Sequence, residues 1–446
     1  MKLIQIIQAI VKAIRSNKVV SSFAGVVPVL KRINALGIPQ TIQAALGERP
    51  AQARYSYSDI MVGWMITSMS HGTRLIKIED AKRDLALIQN LKLCSHDTVG
   101  RVFKKFATPN VEIKNINPKN PNRGEKQYFK NENDLLNDLS IQLSKKLNLL
   151  KENIYYELDM DATIIPSKVH EAKPCYKSGL GFTPMVCMIN QIPVYVSMRS
   201  GNANSLFMQL DCLKRCLALL KKHNIKVGRV RIDGAGFTKE ILEFLNKNKI
   251  KFVIGADWSE RTHRMIMTCQ NPKKVVLNTT IHRWNAMMCS VPFTFSSDKK
   301  NTYRMIAIQV KKKDRELEQS SKWRLKNGYY YKFVITNDEK ATEQSIIREY
   351  HQRGAIEKNF DALKNNFGWA ILPFSRLNEN LVHLIISGIT NNLYLALLKF
   401  FSKKIKEIKT TFRLPKFLSE FLRGAFSYEE DRYVFYDSKI DYVKFM

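Results

Sequence analysis

The order of apolar patterns along the chain predicts an α/β fold whose core is interrupted by an all-β insertion and preceded by a helical region. Three observations carry that expectation. Residues 1–107 space their apolar side chains three and four apart, the period of a helix. From about residue 150 strand and helix patterns alternate, as in a sheet with helices packed on it. Residues 258–340 return to short, aromatic-rich strands separated by turns.

The first segment, MKLIQIIQAIVKAIRSNK, reads as an amphipathic helix. Gln5, Gln8 and Lys12 break its apolar run, and it shows no small-residue cleavage site of a secretion signal. Residues 78–106 read as several short helices. The last of them opens at Ser95, a good N-cap, and puts Arg101, Lys104 and Lys105 on its surface. A helix-turn-helix recognition helix has this form, and so does any basic surface helix. Residues 108–149 divide into a polar stretch and a helix. The run NPKNPNRGEK has no apolar period, so residues 108–133 read as a linker or exposed loop.

In residues 150–257 the strand candidates are 155–165, one or two within 184–198, 227–232 and 252–255, with helices at 205–223 and 239–247. The insertion's strands are 274–280, 287–295, 303–311 and 328–336. Helices resume near 341 and continue to about 410. Their most apolar run, 381–401, contains His383, Asn391 and Asn392, which mark a buried helix and not a membrane span. Residues 411–446 read as an irregular, aromatic-rich tail.

At 446 residues, with 45% apolar and 10% aromatic side chains, the chain can bury the cores of two or three domains. Lys and Arg number 72 against 40 Asp and Glu, a formal charge of +32. Such an excess repels itself and calls for a polyanionic partner. The basic residues are spread along the chain and not gathered in a tail. That favours nucleic acid on folded domains over a ribosome-associated or membrane-surface role. The seven cysteines include no Cys-x-x-Cys pair and no zinc-finger spacing. Cys212 and Cys216, one helical turn apart, read as core thiols, and the scattered odd set fits a reducing cytosol.

Three acidic positions carry the chemistry. Glu157, Asp159 and Asp161 alternate with Tyr156, Leu158 and Met160, so a strand projects all three carboxylates from one face. Acidic residues are poor strand formers. The pattern fits either a solvated edge strand or a cation site. Asp233 ends an apolar strand and precedes Gly234 and Gly236. Ligands of α/β sheets bind at such strand ends, and turns often start with Asp there. Further on, a helical period places Tyr350, Arg353, Glu357 and Lys364 on one face, shared by Asp361. Ile356, Phe360 and Leu363 form a second, apolar face. A surface ion pair explains Arg353 and Glu357 but leaves Tyr350 and Lys364 unaccounted for.

The spacing Tyr350-x2-Arg353-x3-Glu357-x6-Lys364 resembles the signature of DDE-type cut-and-paste insertion-sequence transposases, whose catalytic domain is RNase H-like. Asp161-Ala-Thr163 resembles that family's first Asp-x-Thr motif, and Asp233-Gly-Ala-Gly236-Phe237 its second. Arg199-x-Gly201-Asn202 resembles the segment after its early strands. The resemblance spans residues 150–400. It implies an RNase H-like core in two parts, 150–257 and 341–410, around a β-rich insertion at 258–340. Outside that span, the basic helix opened by Ser95 would make the helical region 1–107 DNA-binding, through Arg101, Lys104 and Lys105.

The resemblance further implies that Asp161, Asp233 and Glu357 are the catalytic, metal-binding carboxylates, with Asp159 and Asp361 as their rivals. Tyr350, Arg353 and Lys364 would hold DNA phosphates. The cofactor would be two Mg2+ ions, with Mn2+ as a substitute. The partners would be double-stranded DNA, as terminal inverted repeats and as target, and a second copy of the chain in the synaptic complex. The setting would be the bacterial cytoplasm, at the nucleoid.

The chemistry needs these residue types. Two divalent ions roughly 3.5–4 Å apart can activate an attacking oxygen and stabilise the departing one. Mg2+ takes oxygen ligands. Three carboxylates gathered without a cation would repel one another. In the insertion, Trp323 lies between Lys322 and Arg324 and is the candidate to stack a flipped base, although ordinary packing is the commoner role of a tryptophan such as Trp258. Two other readings stand beside an active transposase. A domesticated DNA-binding protein would not need the intact carboxylates, and another RNase H-like nuclease would not need the four-residue helix signature.

Overall fold

The computed structural model describes residues 19–115, 126–176, 179–269, 272–278, 283–312, 324–436 and 440–445. Helices come first: α1 (Val26–Ala35), α2 (Ile38–Leu46), α3 (Tyr57–Ser70), α4 (Lys77–Asp84) and α5 (His96–Lys105). Ser56 and Asp59 form a reciprocal capping box at the start of α3. At α5 the Ser95 side chain accepts from the Thr98 N–H, as its sequence predicts. The amphipathic helix expected at the N-terminus falls on residues 1–18, outside the described residues.

Next come β1 (Val111–Asn115), β2 (Lys126–Glu132), α6 (Asp134–Lys146) and β3 (Tyr155–Ala162). A small three-stranded sheet is made by β4 (Ile165–Pro166), β5 (Lys173–Pro174) and β6 (Leu180–Phe182). The core continues with β7 (Met185–Ile189), β8 (Ile192–Arg199), α7 (Gln209–Lys222), β9 (Lys226–Ile232), α8 (Lys239–Lys247) and β10 (Lys251–Ala256). Then follow α9 (Glu260–Met267), β11 (Lys273–Asn278), β12 (Arg283–Phe295), β13 (Asp298–Lys311), β14 (Arg324–Lys326) and β15 (Tyr329–Thr336). The C-terminal part holds α10 (Glu343–Gln352), α11 (Ala355–Asn366), α12 (Leu377–Phe401), α13 (Leu414–Phe417), β16 (Ala425–Glu429) and β17 (Arg432–Tyr436).

One mixed sheet organises the molecule, in the order β1-β2-β8-β7-β3-β9-β10-β15-β13-β12-β11, with β14 also on β15. Within it, β8, β7 and β3 are mutually antiparallel neighbours, while β3, β9 and β10 run parallel. This order and these directions fit the RNase H-like core that the resemblance implies. Leu158 and Met160 of β3 enter an apolar core with α7 and α8 on one face of the sheet. The acidic side chains of β3 point to the opposite face, as period-two alternation requires. There α10 packs through Ile346, Ile347 and Tyr350.

Three expectations are corrected. Residues 258–340 are not all-β: Ser259 and Thr262 cap helix α9 inside that range. Its strands continue the core sheet, since β15 pairs antiparallel with β10. Within the polar stretch 108–133, β1 and β2 form an antiparallel ladder, and β2 pairs with β8. Main-chain bonds at a sheet edge hold these strands, so no apolar alternation marks them. The tail is not irregular either. β16 and β17 form a hairpin, Ser21 and Phe23 bridge to Phe426 and Gly424, and Phe417, Phe421 and Tyr442 join the core of the N-terminal helices.

Helix α12 is long and apolar enough to span a membrane, with a mean hydropathy of 1.6, but 89% of that window is buried inside the protein. Two of its polar residues have internal partners. His383 Nε2 lies 3.2 Å from the Gly368 carbonyl and Asn392 Nδ2 donates to Ser144 Oγ. Cys212 and Cys216 are buried core thiols, as expected.

Candidate active site

Strands β3 and β9 end side by side. The register pairs Asp159 with Arg231 and Met160 with Ile232, so the next residues, Asp161 and Asp233, leave the carboxyl edge of the sheet together. Asp161 Oδ1 accepts from the Ala162 N–H at 2.8 Å, and Oδ2 accepts from Arg353 Nη1 at 2.8 Å. Asp233 Oδ1 accepts from the Ala235 N–H at 3.0 Å and opens a 3-10 turn over Gly234–Gly236. The turn presses so close to the strand that a Cβ on Gly236 would stand 2.6 Å from Ile232 Cγ2. Burial pushes the Asp161 carboxyl above its ordinary pKa. Arg353 pulls it back, and the charge of Asp233 raises it further.

The other two carboxylates of this strand face are already matched by β9. Arg231 forks onto Asp159 with both bonds at 2.7 Å and reaches Glu157 Oε2 at 2.9 Å. Arg229 holds Glu157 and Glu349 at 3.1 Å each. The guanidinium groups of β9 are therefore the cations of Glu157 and Asp159, whereas Asp161 is met by Arg353 through a single bond and has Asp233 beside it.

The stretch carrying Tyr350 to Lys364 is not one helix, which corrects the single-face expectation. Between α10 and α11 the N–H groups of Arg353, Gly354, Ile356 and Glu357 bond to carbonyls three residues back. Each such residue winds the chain about 20° more than an α-helix does. Tyr350 and Arg353 point into the protein, 6% and 3% exposed, while the Glu357 side chain is 66% exposed. The apolar face expected from Ile356, Phe360 and Leu363 is buried. Lys364 is half-buried and donates to the Ile164 carbonyl at 2.9 Å.

The structure thus gathers Asp161, Asp233, Tyr350 and Arg353, with Glu357 at the rim. Among the described residues no three Asp, Glu, His or Cys side chains are close enough to hold a metal ion. The expected cage of three carboxylates is therefore not assembled. Instead the Arg353 guanidinium lies between two of them, 2.8 Å from Asp161 and 4.0 Å from Glu357. Oxygen donors converging on a positive charge suit a hard divalent cation in both donor type and charge. The phosphate-holding roles expected of Arg353 and Lys364 are not free in this arrangement, because each already has a protein partner.

A cavity of about 600 Å³ opens beside Asp233, lined by Asp257, Trp258, Arg324, Lys332 and Tyr350 among others. The Tyr350 hydroxyl closes on β10 so tightly that a Cβ on Gly255 would stand 2.4 Å from it. Asp257 is a residue that sequence reasoning missed. It follows the end of β10, and burial first, then Asp233, holds its carboxyl above the ordinary range. The signal that marked Asp233, an Asp at the end of an apolar strand, is present at Asp257 too. Trp258 packs against His263 and Tyr331, with Lys326 over its ring at 5.6 Å. Trp323, the expected stacking residue, lies outside the described residues. Arg101, Lys104 and Lys105 are exposed on α5, with Lys104 over the Phe374 ring and Lys105 over that of Tyr57.

Among curated proteins no relative matches the chain. Among solved structures it is similar to the piggyBac transposase in a synaptic complex with hairpin DNA, at 10% identity and a TM-score of 0.38, over 90% of this chain and 84% of that one. The model of the family described as transposase DDE domain, group 1, matches residues 7–414. With nearly its whole length matched, the chain belongs to the transposase DDE family and is a DNA-cleaving transposase.

Proposed function

We propose that this transposase binds the ends of an insertion sequence, cleaves DNA there, and joins the freed 3′-hydroxyl ends to target DNA, with Asp161, Asp233 and Glu357 as its metal-binding carboxylates. The observation that supports this most directly is the placement of Arg353 between Asp161 and Glu357, beside Asp233. A positive charge is required where these oxygens converge. The cofactor would be a pair of Mg2+ ions, or Mn2+, and such a pair activates the attacking oxygen and stabilises the departing one.

The chain's own side chains do the rest. Arg353, when it leaves Asp161, offers a planar fork suited to a phosphate. Tyr350 supplies a hydroxyl on the same wall, and Lys364 a point charge one helix further. Trp258 gives the cavity an aromatic face on which a base can stack. Arg101, Lys104 and Lys105 would meet DNA on the helical layer. Two DNA ends held together require two copies of the chain, and the work would take place at the bacterial nucleoid. With Mg2+ or Mn2+, purified protein should nick DNA carrying its element's terminal repeats. Glu357→Gln should bind those ends and not cut them. Normal cutting by that variant would overturn the assignment.

A further inference from the structure

Most of the molecule's buried charges are paired, but one surface is not. After α12, residues 402–416 carry Lys403, Lys404, Lys406, Lys409, Arg413 and Lys416 against the single acid Glu407. All six cations are exposed. Arg413 has Asp361 at 3.3 Å and Lys416 has Glu420 at 2.5 Å. Among the described residues no carboxylate lies within ion-pair distance of Lys403, Lys406 or Lys409.

The segment is also held in shape. Ile405 and Ile408 are buried, 8% and 2% exposed, so the lysines between and around them are turned outward. The Tyr394 hydroxyl donates to the Phe412 carbonyl and fixes the far end. Arg32 of α1 and Lys404 both lie over the Phe400 ring, at 4.2 and 5.1 Å, which brings an N-terminal cation into the same patch. The Arg413–Asp361 pair ties the segment to α11, one turn beyond Glu357. Like charges gathered and left without acids cost free energy in the free protein. A fixed display of them suits a fixed row of negative charges.

We infer that the segment 402–416, with Arg32, is a phosphate-binding surface for duplex DNA, continuing from the Glu357 helix along the backbone that flanks the cut. It rests on the proposed transposase function and adds a surface that no motif assigns. The probe is a labelled duplex carrying the terminal repeat, titrated by fluorescence anisotropy at several salt concentrations. Each phosphate contact contributes about 0.9 to the slope of log affinity against log salt. The triple variant Lys403→Gln, Lys406→Gln, Lys409→Gln should lower that slope by about 2 to 3 and weaken binding on the order of 100-fold at 0.15 M salt. The control removes the same charge from the opposite face of the sheet, with Lys221→Gln, Lys247→Gln and Lys249→Gln. It should leave the slope nearly unchanged.

Equal slopes in the triple variant and the wild type would overturn the inference, and so would an equal fall in the control, which would reduce the effect to net charge. Loss of binding to anionic lipid vesicles with unchanged DNA binding would give the patch to a membrane surface instead and overturn it too. A wild-type protein that binds no duplex DNA at all would defeat the proposed function itself, a result distinct from the other three.

Discussion

Asp159 and Asp161 stand two residues apart on one face of one strand, and each meets an arginine, yet their surroundings differ. Asp159 is 3% exposed and is clasped by both arms of Arg231, which sits opposite it in the strand register. Asp161 receives a single bond from Arg353, from an element 192 residues away, and has the carboxylate of Asp233 beside it. The first pair is closed: its geometry uses the donors and acceptors fully, and it holds β3, β9 and α10 together. The second is open on the side of the cavity and combines like charges that a structural cluster would avoid. A buried ion pair is thus read as structure or as site by what stands next to it.

The comparison breaks first if the two aspartates respond alike. Asp161→Asn should lower the rate of metal-dependent nicking by at least about a thousandfold, roughly 4 kcal/mol in the barrier, with the melting temperature near that of the wild type. Asp159→Asn should do the reverse. It should cost about 3 kcal/mol of stability by leaving Arg231 undercompensated, as read by chemical denaturation. The double variant Asp159→Leu, Arg231→Met should recover much of that loss. Retained stability in Asp159→Asn with lost cutting would exchange the two roles.

A third buried polar group extends the contrast to the helical layer. Burial lowers the pKa of His383 from 6.5 to about 4. The unfolded chain therefore binds a proton here that the folded chain refuses. The contribution to stability is full above pH 6.5 and is lost as pH falls from 6.5 toward 4. Between pH 7 and pH 5 this amounts to about 2 kcal/mol. Denaturation curves at the two pH values should differ by that much less in His383→Gln, and an unchanged difference would remove His383 from the acid response. The smallest effect is expected at Gly255, where a Cβ meets the Tyr350 hydroxyl. Gly255→Ala should cost about 1 kcal/mol of stability and slow cutting modestly. No change in either would mean that Tyr350 is less tightly seated against β10.

Much of the architecture was legible in the sequence. The alternation in 155–162 and the apolar runs of β7 to β10 marked the core strands, and the sequence helix at 239–247 is α8. The edge strands β1 and β2 and the hairpin β16–β17 were not legible. Their register depends on main-chain bonds to partners supplied by other parts of the fold. The candidates Asp161, Asp233 and Glu357 came from the resemblance of their motifs to the transposase family, and the structure sets Asp161 near Asp233 with Glu357 at the rim. Asp257 was missed, because one acid at a strand end says nothing about which neighbour it faces.

By itself the sequence determined the core strands β3 and β7 to β10, the helix α8, and the shared face of Glu157, Asp159 and Asp161, because periodicity along one element records which side is buried. Only the tertiary structure decided which charge answers which. It assigned Arg231 to Asp159, and it tightened the Tyr350–Lys364 stretch at Arg353 into bonds of shorter span. It turned Arg353 toward Asp161 and left Glu357 at the rim. These outcomes follow from cross-strand register and from contacts between residues up to 192 positions apart, which no local pattern encodes.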